Sequence, residues 1–356
     1  MSVRHLYVHL PFCAHRCGYC DFVTAVGRPE QHAAYVDALL RELDEERHVL
    51  GELETVFLGG GTPTFTALPE LVRLLEALPA AEEVTVEANP ETVTAELARA
   101  LSESGVTRVS LGAQSFRPHL LEVLERGAQP DDVRRAFAHL RDGGFDNLSL
   151  DLIYGIPGQA VEDLEADLAD AIALGPEHLS CYELEAKPGT RFTHAHGDEL
   201  ARQADAMEDY FERVVAVLTA NGYRWYETAN FCRDGKRALH NLGYWLGRDY
   251  VGIGVGAVST LGSERRRNTP KLARYLAGRY DREIEKLEDD VRARERVMLG
   301  LRLDDPLPIS GLERALDPVG LARVEQLGLA TRGDDTLTLT ERGRYLGGAV
   351  TVELLS

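Results

Sequence analysis

From Arg4 to about Asn230 the chain repeats one unit six times: a short apolar stretch, then a longer stretch with helical periodicity. The apolar stretches are residues 5–10, 55–58, 84–87, 108–112, 148–153 and 178–184, rich in β-branched or aromatic side chains. That character fits buried parallel strands. Between them, residues 34–48 place Tyr35, Val36, Leu39, Leu40 and Leu43 on one helical face. Residues 69–78, 94–104, 131–142 and 161–174 also read as helices, with starts marked by Thr94 and by Pro130-Asp131-Asp132. Repeated strand–helix units imply right-handed crossovers and therefore an α/β fold on a parallel sheet. Six units are too few for a standard eight-unit barrel. The pattern alone leaves a partial barrel and an open doubly wound sheet both standing.

Further on, residues 203–221 read as one more helix and 223–228 as an added strand. Residues 250–260 are glycine-rich and apolar, and residues 265–267 with Asn268-Thr269-Pro270 break the pattern. From about Asp289 the order becomes helix 292–301, short helix 310–316, helix 318–327, β-wing 337–339 and helix 340–354. That succession resembles a winged-helix domain. The expected division is a core at 1–230, an extension at 231–288 and a small winged-helix-like domain at 289–356.

Charge limits the partners. Against 39 lysines and arginines stand 58 acidic residues, for a net charge of −19, which argues against a nucleic-acid or anionic-membrane surface. Residues 289–356 carry nine arginines against twelve acids, so a tRNA-modifying reading, with the winged helix as grip, is disfavoured. No apolar run approaches the ~20 residues of a membrane span. The N-terminus runs straight into a strand pattern, so no signal peptide is expected and a cytoplasmic location is.

Five cysteines are present, three of them within eight residues: Cys13, Cys17 and Cys20. An odd, clustered count does not suit a disulfide framework. It suits a metal site in a reducing compartment. The C-x3-C-x2-C spacing, directly after the first strand, puts three thiolates on a tight loop. They can hold three corners of a cubane [4Fe–4S] cluster and leave the fourth iron open to a chelating ligand. The competing reading is a zinc site completed by His9 or His15, although zinc ligands usually come as two separated pairs. Cys181 reads as a small buried hydrophobe. Cys232 falls in a polar loop and carries no assigned role.

The segment Tyr7-Val8-His9-Leu10-Pro11-Phe12-Cys13, with Cys17 and Tyr19-Cys20-Asp21-Phe22, resembles the radical S-adenosylmethionine (SAM) superfamily, in its coproporphyrinogen III oxidase-like branch. The resemblance covers nearly the whole chain. It implies a partial (β/α)6 TIM-like barrel with the cluster at the C-terminal mouth of the strands. It also implies SAM chelating the open iron and, on reduction, cleavage to methionine and a 5′-deoxyadenosyl radical. Glycines in Gly59-Gly60-Gly61-Thr62-Pro63-Thr64 let backbone amides approach a carboxylate closely. The resemblance assigns Gly60, Gly61 and Thr62 to SAM, with Tyr7 and Tyr19 in the same pocket. Glu87, Gln114 and Asp151 fall at or near the ends of strands, where barrel sites are built. With Arg126 they match further SAM contacts of the family. Each of these is otherwise an ordinary strand-end hydrogen bonder.

A second signal is His240-Asn241-Leu242-Gly243-Tyr244-Trp245. On a helix His240 and Tyr244 share a face. An imidazole beside two aromatics suits a flat tetrapyrrole, whose iron it could ligate. On the sequence alone a packed aromatic turn around a hydrogen-bonded core histidine suits the residues better, since Trp and Tyr are mostly packing residues. The resemblance associates this motif with heme-handling members, and so implies heme held by His240, Tyr244 and Trp245.

Two departures from the true oxidases matter. They carry a cysteine two residues past the triplet, where this chain has Phe22, and a longer N-terminal extension than the twelve residues before Cys13. Both weaken the decarboxylase reading. The expected function is therefore a heme chaperone that binds the cluster, SAM and heme and delivers heme to respiratory hemoproteins. The alternative is an oxygen-independent coproporphyrinogen III oxidase. The resemblance implies as partners heme-accepting apo-proteins, membrane respiratory enzymes among them, and a one-electron donor such as flavodoxin or ferredoxin. The charge balance implies no nucleic acid.

Overall fold

A computed structural model describes residues 2–187 and 191–355. Six strands, β1 (Val3–Leu10), β2 (Leu50–Gly60), β3 (Ala81–Ala88), β4 (Arg108–Gln114), β5 (Leu148–Tyr154) and β6 (His178–Glu183), lie side by side in sequence order, all parallel. A doubly wound sheet reverses its strand order at a switch point. This one does not, so the partial barrel holds. Three strands extend it. The hairpin of β7 (Arg224–Glu227) and β8 (Asn230–Cys232) adds antiparallel strands beyond β6, and β9 (Val251–Ile253) pairs parallel with β1 at the other edge.

Period-two alternation decides what each strand shows to either side. On β1, Leu6, Val8 and Leu10 are buried in the core beneath the helices, with Tyr35, Val36, Leu39 and Leu43 of the helix His32–Glu46. The alternate residues His5, Tyr7 and His9 point the other way, where His5 meets Thr55 and Tyr7 meets Phe57, both on β2. The helix Ala95–Glu103 starts where Thr94 accepts from Leu97 N at 3.1 Å. The helix Pro130–Asp142 starts with a reciprocal box between Gln129 and Asp132.

Two readings of the middle region need correction. Cys232 is buried in β8, opposite His178, not in a polar loop. The polar run that follows it, Arg233 to Lys236, masked a strand only three residues long. Residues 265–267 do not break the pattern: Glu264–Arg267 is the central strand of an antiparallel sheet with Val258–Leu261 and Glu283–Lys286. On it Arg265 is matched by facing carboxylates, Glu285 at 3.2 Å and Glu295 at 2.7 Å. The glycine-rich stretch contributes β9.

Beyond it, the helix Asp289–Gly300 leads into a separate apolar cluster that includes Val297, Leu316, Val324, Leu337, Val350 and Leu354. Strands Leu307–Pro308, Ala330–Arg332 and Thr336–Leu339 form its small sheet. The helix Pro318–Gln326 is capped by Asp317. The expected helix over 340–354 is two, Glu341–Tyr345 and Gly347–Leu354, broken at Leu346, whose backbone leaves the helical region. Ion pairs from Arg224 and Arg237 to Asp304 and Asp305, with Arg344 over the Trp225 ring, join this part to the β7–β8 hairpin. Among the described residues no helix is long and apolar enough to cross a membrane.

Candidate functional site: the mouth of the barrel

The ends of β1 and β2 shape the mouth. Gly60 has φ +107°, and a Cβ there would lie 2.4 Å from the His9 ring. At Gly61 a Cβ would lie 2.6 Å from the Pro11 backbone. Only glycine permits this approach. It lets Gly61 N donate to Leu10 O at 2.7 Å and Thr62 N to Phe12 O at 2.9 Å. The loop that follows β1 is closed by pairing of Phe12–Cys13 with Ala25–Val26. Within it Cys20 N donates to Cys17 O at 3.2 Å. Cys13, Cys17 and Cys20 thus reach one cleft of about 500 Å³, shared with Tyr19, Gly60, Gly61, Thr62, Glu87, Gln114, Arg126 and Asp151.

Tyr7 is not among the residues that line the cleft. It sits three residues before the end of β1, about 10 Å down the strand, with its hydroxyl 3.0 Å from His9 Nδ1 and its ring stacked on Phe57.

A residue that the sequence reading missed ties the mouth together. Asn89 Nδ2 donates to Thr62 Oγ1 at 3.1 Å, and Asn89 Oδ1 accepts from Arg126 Nη2 at 3.0 Å. Thr62 Oγ1 in turn donates to Cys13 Sγ at 3.6 Å, and Arg126 Nη1 to Cys17 Sγ at 3.5 Å. One chain of hydrogen bonds therefore links two of the three thiols. The signal available was position: Asn89 follows β3 directly and is pinned by Pro90.

Charge is concentrated under the mouth. Glu87 accepts from Gly60 N at 3.1 Å, yet burial, aided by Asp151, pushes its pKa up to about 7. Burial also raises Asp151, although Ser180, Ser110 and Ser149 oppose the shift by hydrogen bonding. Gln114 ends β4 with φ +65°, a left-handed conformation that costs a side-chain-bearing residue energy. Such strain at a cleft is commonly retained where the side chain is used.

The thiols fit a cluster better than a lone ion. Among the described residues no three Cys, His, Asp or Glu side chains are gathered closely enough to hold one metal ion. His9, a candidate zinc ligand, is engaged instead by Tyr7 and by Val23 O at 2.8 Å. His15 Nε2 lies 3.1 Å from Glu125 O and 4.0 Å from Cys17 Sγ.

The second motif lies elsewhere. His240 and Tyr244 do share a face of the helix Leu239–Trp245, but that face turns into the barrel. His240 Nδ1 is 2.7 Å from Thr55 Oγ1, and its Nε2 is 2.8 Å from the Tyr244 hydroxyl. Its ring stacks on Phe57 with centroids 5.1 Å apart. Burial pushes its pKa down to about 3. As placed, His240 is the hydrogen-bonded core histidine, and neither nitrogen is free for iron. Tyr244 and Trp245 instead line a second cleft of about 300 Å³. Cys181 is buried in β6 as expected.

The Radical SAM superfamily pattern matches residues 7–171 and the HemN C-terminal domain pattern residues 287–346. Similar sequences include "Heme chaperone HemW" of Bacillus subtilis, 33% identical over 98% of this chain and 98% of that protein. The protein of that name from Escherichia coli K12 is 40% identical over 71% of this chain and 68% of its own length. Coproporphyrinogen III oxidase (HemN) from Escherichia coli, described as a radical SAM enzyme, has the same fold. It superposes with a TM-score of 0.83 at 23% identity, covering 99% of this chain and 90% of that one. A [4Fe–4S] cluster and SAM follow from the superfamily. The chain belongs to the HemW family of the radical SAM superfamily.

Proposed function

We propose that this protein is a cytoplasmic heme chaperone that carries a [4Fe–4S] cluster and SAM, binds heme and passes it to respiratory hemoproteins. The observation that carries the reading is the mouth itself, which gathers the three cysteines and every SAM candidate but Tyr7 while ending the triplet in Cys20-Asp21-Phe22. Phe22, 66% exposed, stands where a true oxidase has a cysteine. The relatives named above as heme chaperones support it.

In this reading Cys13, Cys17 and Cys20 hold the cluster, which when bound supplies one electron at its open iron. The backbone of Gly60 and Gly61, with Thr62, receives the amino-acid end of SAM. Glu87, ready to accept or donate a hydrogen bond near neutrality, meets the ribose hydroxyls. Gln114 and Asp151 close the opposite wall, and Arg126 holds its place through Asn89. Flavodoxin or ferredoxin is the expected electron donor. Heme reaches His240 only if the Tyr244 hydroxyl leaves Nε2, so ligation there requires the helix Leu239–Trp245 to reorganise. Residues 1–230, 231–288 and 289–356 are taken as core, extension and C-terminal unit.

Anaerobic reconstitution followed by heme titration tests the proposal. A Soret band at stoichiometric heme without conversion of coproporphyrinogen III is expected. Conversion with no Soret band overturns it.

A further inference from the structure

The second cleft has the wrong charge for this chain. It opens between the helix Leu239–Trp245, the strand Glu264–Arg267 and the helix Asp289–Gly300. Four arginines line it, Arg248, Arg265, Arg292 and Arg296, against one acid, Glu295, in a protein of net charge −19. Three of the arginines have carboxylate partners: Arg248 to Glu54 at 2.6 Å, Arg265 to Glu295 at 2.7 Å and Arg292 to Asp249 at 3.7 Å. Arg296 differs. Its Nη1 is buried with no hydrogen-bond partner among the described residues, and burial together with Arg292 and Arg248 lowers its pKa. A half-buried guanidinium with one buried nitrogen left without a partner, beside two more cations, is a costly arrangement, and an anion relieves it.

The cleft is shaped around that guanidinium. Gly247 has φ +61°, and a Cβ there would lie 2.4 Å from Arg296 Cδ, so the glycine makes room for it. A second orphan donor, Trp245 Nε1, is buried at the same wall. Tyr244, Trp245 and Tyr250 supply aromatic surface beside the cations. Carboxylate attached to an apolar, flat body is the chemistry this combination receives. A volume of about 300 Å³ lies at the small end for ligand sites and holds an edge of a tetrapyrrole, not the whole ring.

We propose that this cleft anchors the propionate carboxylates of heme, with Arg296 as the principal anchor, supported by Arg292 and Arg248, and the ring extending out over Trp245. The inference rests on the heme-binding reading and gives it a site made by the C-terminal unit together with the extension.

The test compares heme with heme dimethyl ester, which lacks the carboxylates, in spectroscopic titrations of the full-length reconstituted protein. The wild type should bind heme roughly ten- to a hundredfold more tightly than the ester, the worth of a charge-assisted hydrogen bond or two. Arg296→Gln should remove most of that preference and leave ester binding unchanged, and Arg292→Gln should remove less. Thermal unfolding confirms that each variant folds; if Arg296→Gln does not, Arg248→Gln carries the comparison. Equal binding of heme and ester by the wild type, or a preference that survives in all the variants, overturns the anchor while leaving heme binding intact. A wild type that binds neither porphyrin overturns the heme reading itself.

Discussion

The two ends of the barrel use similar side chains and leave them in opposite states. At the bottom, Thr55 Oγ1 lies 2.9 Å from His5 Nδ1 and 2.7 Å from His240 Nδ1, so its hydroxyl donates to one ring and accepts from the other. Tyr244 satisfies the far side of His240, and Tyr226 and Ser149 satisfy both nitrogens of His178. At the mouth, three thiols, two buried carboxylates and a strained glutamine face a cleft of about 500 Å³. At one end most of these rings find their polar partners within the fold. The other awaits partners from outside. The difference separates structural from functional polarity inside a single barrel, although the residues alone look alike.

Cys17→Ser is the hardest blow to the mouth. Alcohol is a poor ligand for iron in such clusters, so iron, acid-labile sulfide and the brown absorbance should be lost together. The bottom should not notice, and the unfolding of the metal-free protein should match the wild type. A normal cluster in this variant removes the triplet as the ligand set.

The ends should also respond to pH with opposite signs. Glu87 has its folded pKa raised from 4.5 to about 7, so the folded state holds its proton more tightly. Its stabilising contribution is complete below pH 4.5 and is lost as pH rises through 7, roughly 3 kcal/mol in all. His240 has its folded pKa lowered from 6.5 to about 3. Its contribution is complete above pH 6.5 and is lost as pH falls toward 3, about 1.4 kcal/mol per unit. Burial lowers His5 and His178, also at the bottom, in the same direction. Denaturant unfolding across pH 5 to 8.5 should show Glu87→Gln more stable than wild type at the alkaline end, with the advantage gone near pH 5. An advantage independent of pH assigns the gain to packing.

Thr55→Val reaches only the bottom. It removes the hydroxyl shared by two histidines and should cost about 2 kcal/mol or more, since buried polar atoms lose their partner. Cluster content should stay at the wild-type level. A loss of cluster here joins the two ends and breaks the contrast.

What the sequence revealed follows from this division. The six strands were legible because apolar runs of β1 to β6 must be buried on one face at least, whatever lies at their ends. The cysteines and the Gly60–Gly61 turn were legible because their spacing is itself the chemistry. Which way the helix Leu239–Trp245 faces was not. Helical spacing says that His240 and Tyr244 share a face, but the choice between solvent and barrel interior depends on Thr55 and Phe57, far away in sequence. Asn89 was missed for a related reason: it serves through Thr62 and Arg126, and no local pattern marks such a bridge. Residues 265–267 read as a break because the carboxylates that match Arg265, Glu285 and Glu295, come from other segments.

The smallest expected effect is at Gln114, and it isolates side chain from backbone. Gln114 holds φ +65° at the end of β4, where register with β5 shifts between Gly112 and Gln114. Glycine adopts that conformation without the Cβ penalty, so Gln114→Gly should leave the fold as stable as wild type or better by up to about 1 kcal/mol. Gln114→Ala keeps the penalty and should gain nothing. Both lose the amide that faces the cleft, so both should weaken SAM binding to the reconstituted protein by a similar factor, measured by equilibrium dialysis. If stability rises while SAM affinity falls, strain at the mouth is retained for the ligand. If SAM affinity is untouched in both, the left-handed turn serves only to end the strand, and the mouth is at that point as self-contained as the bottom.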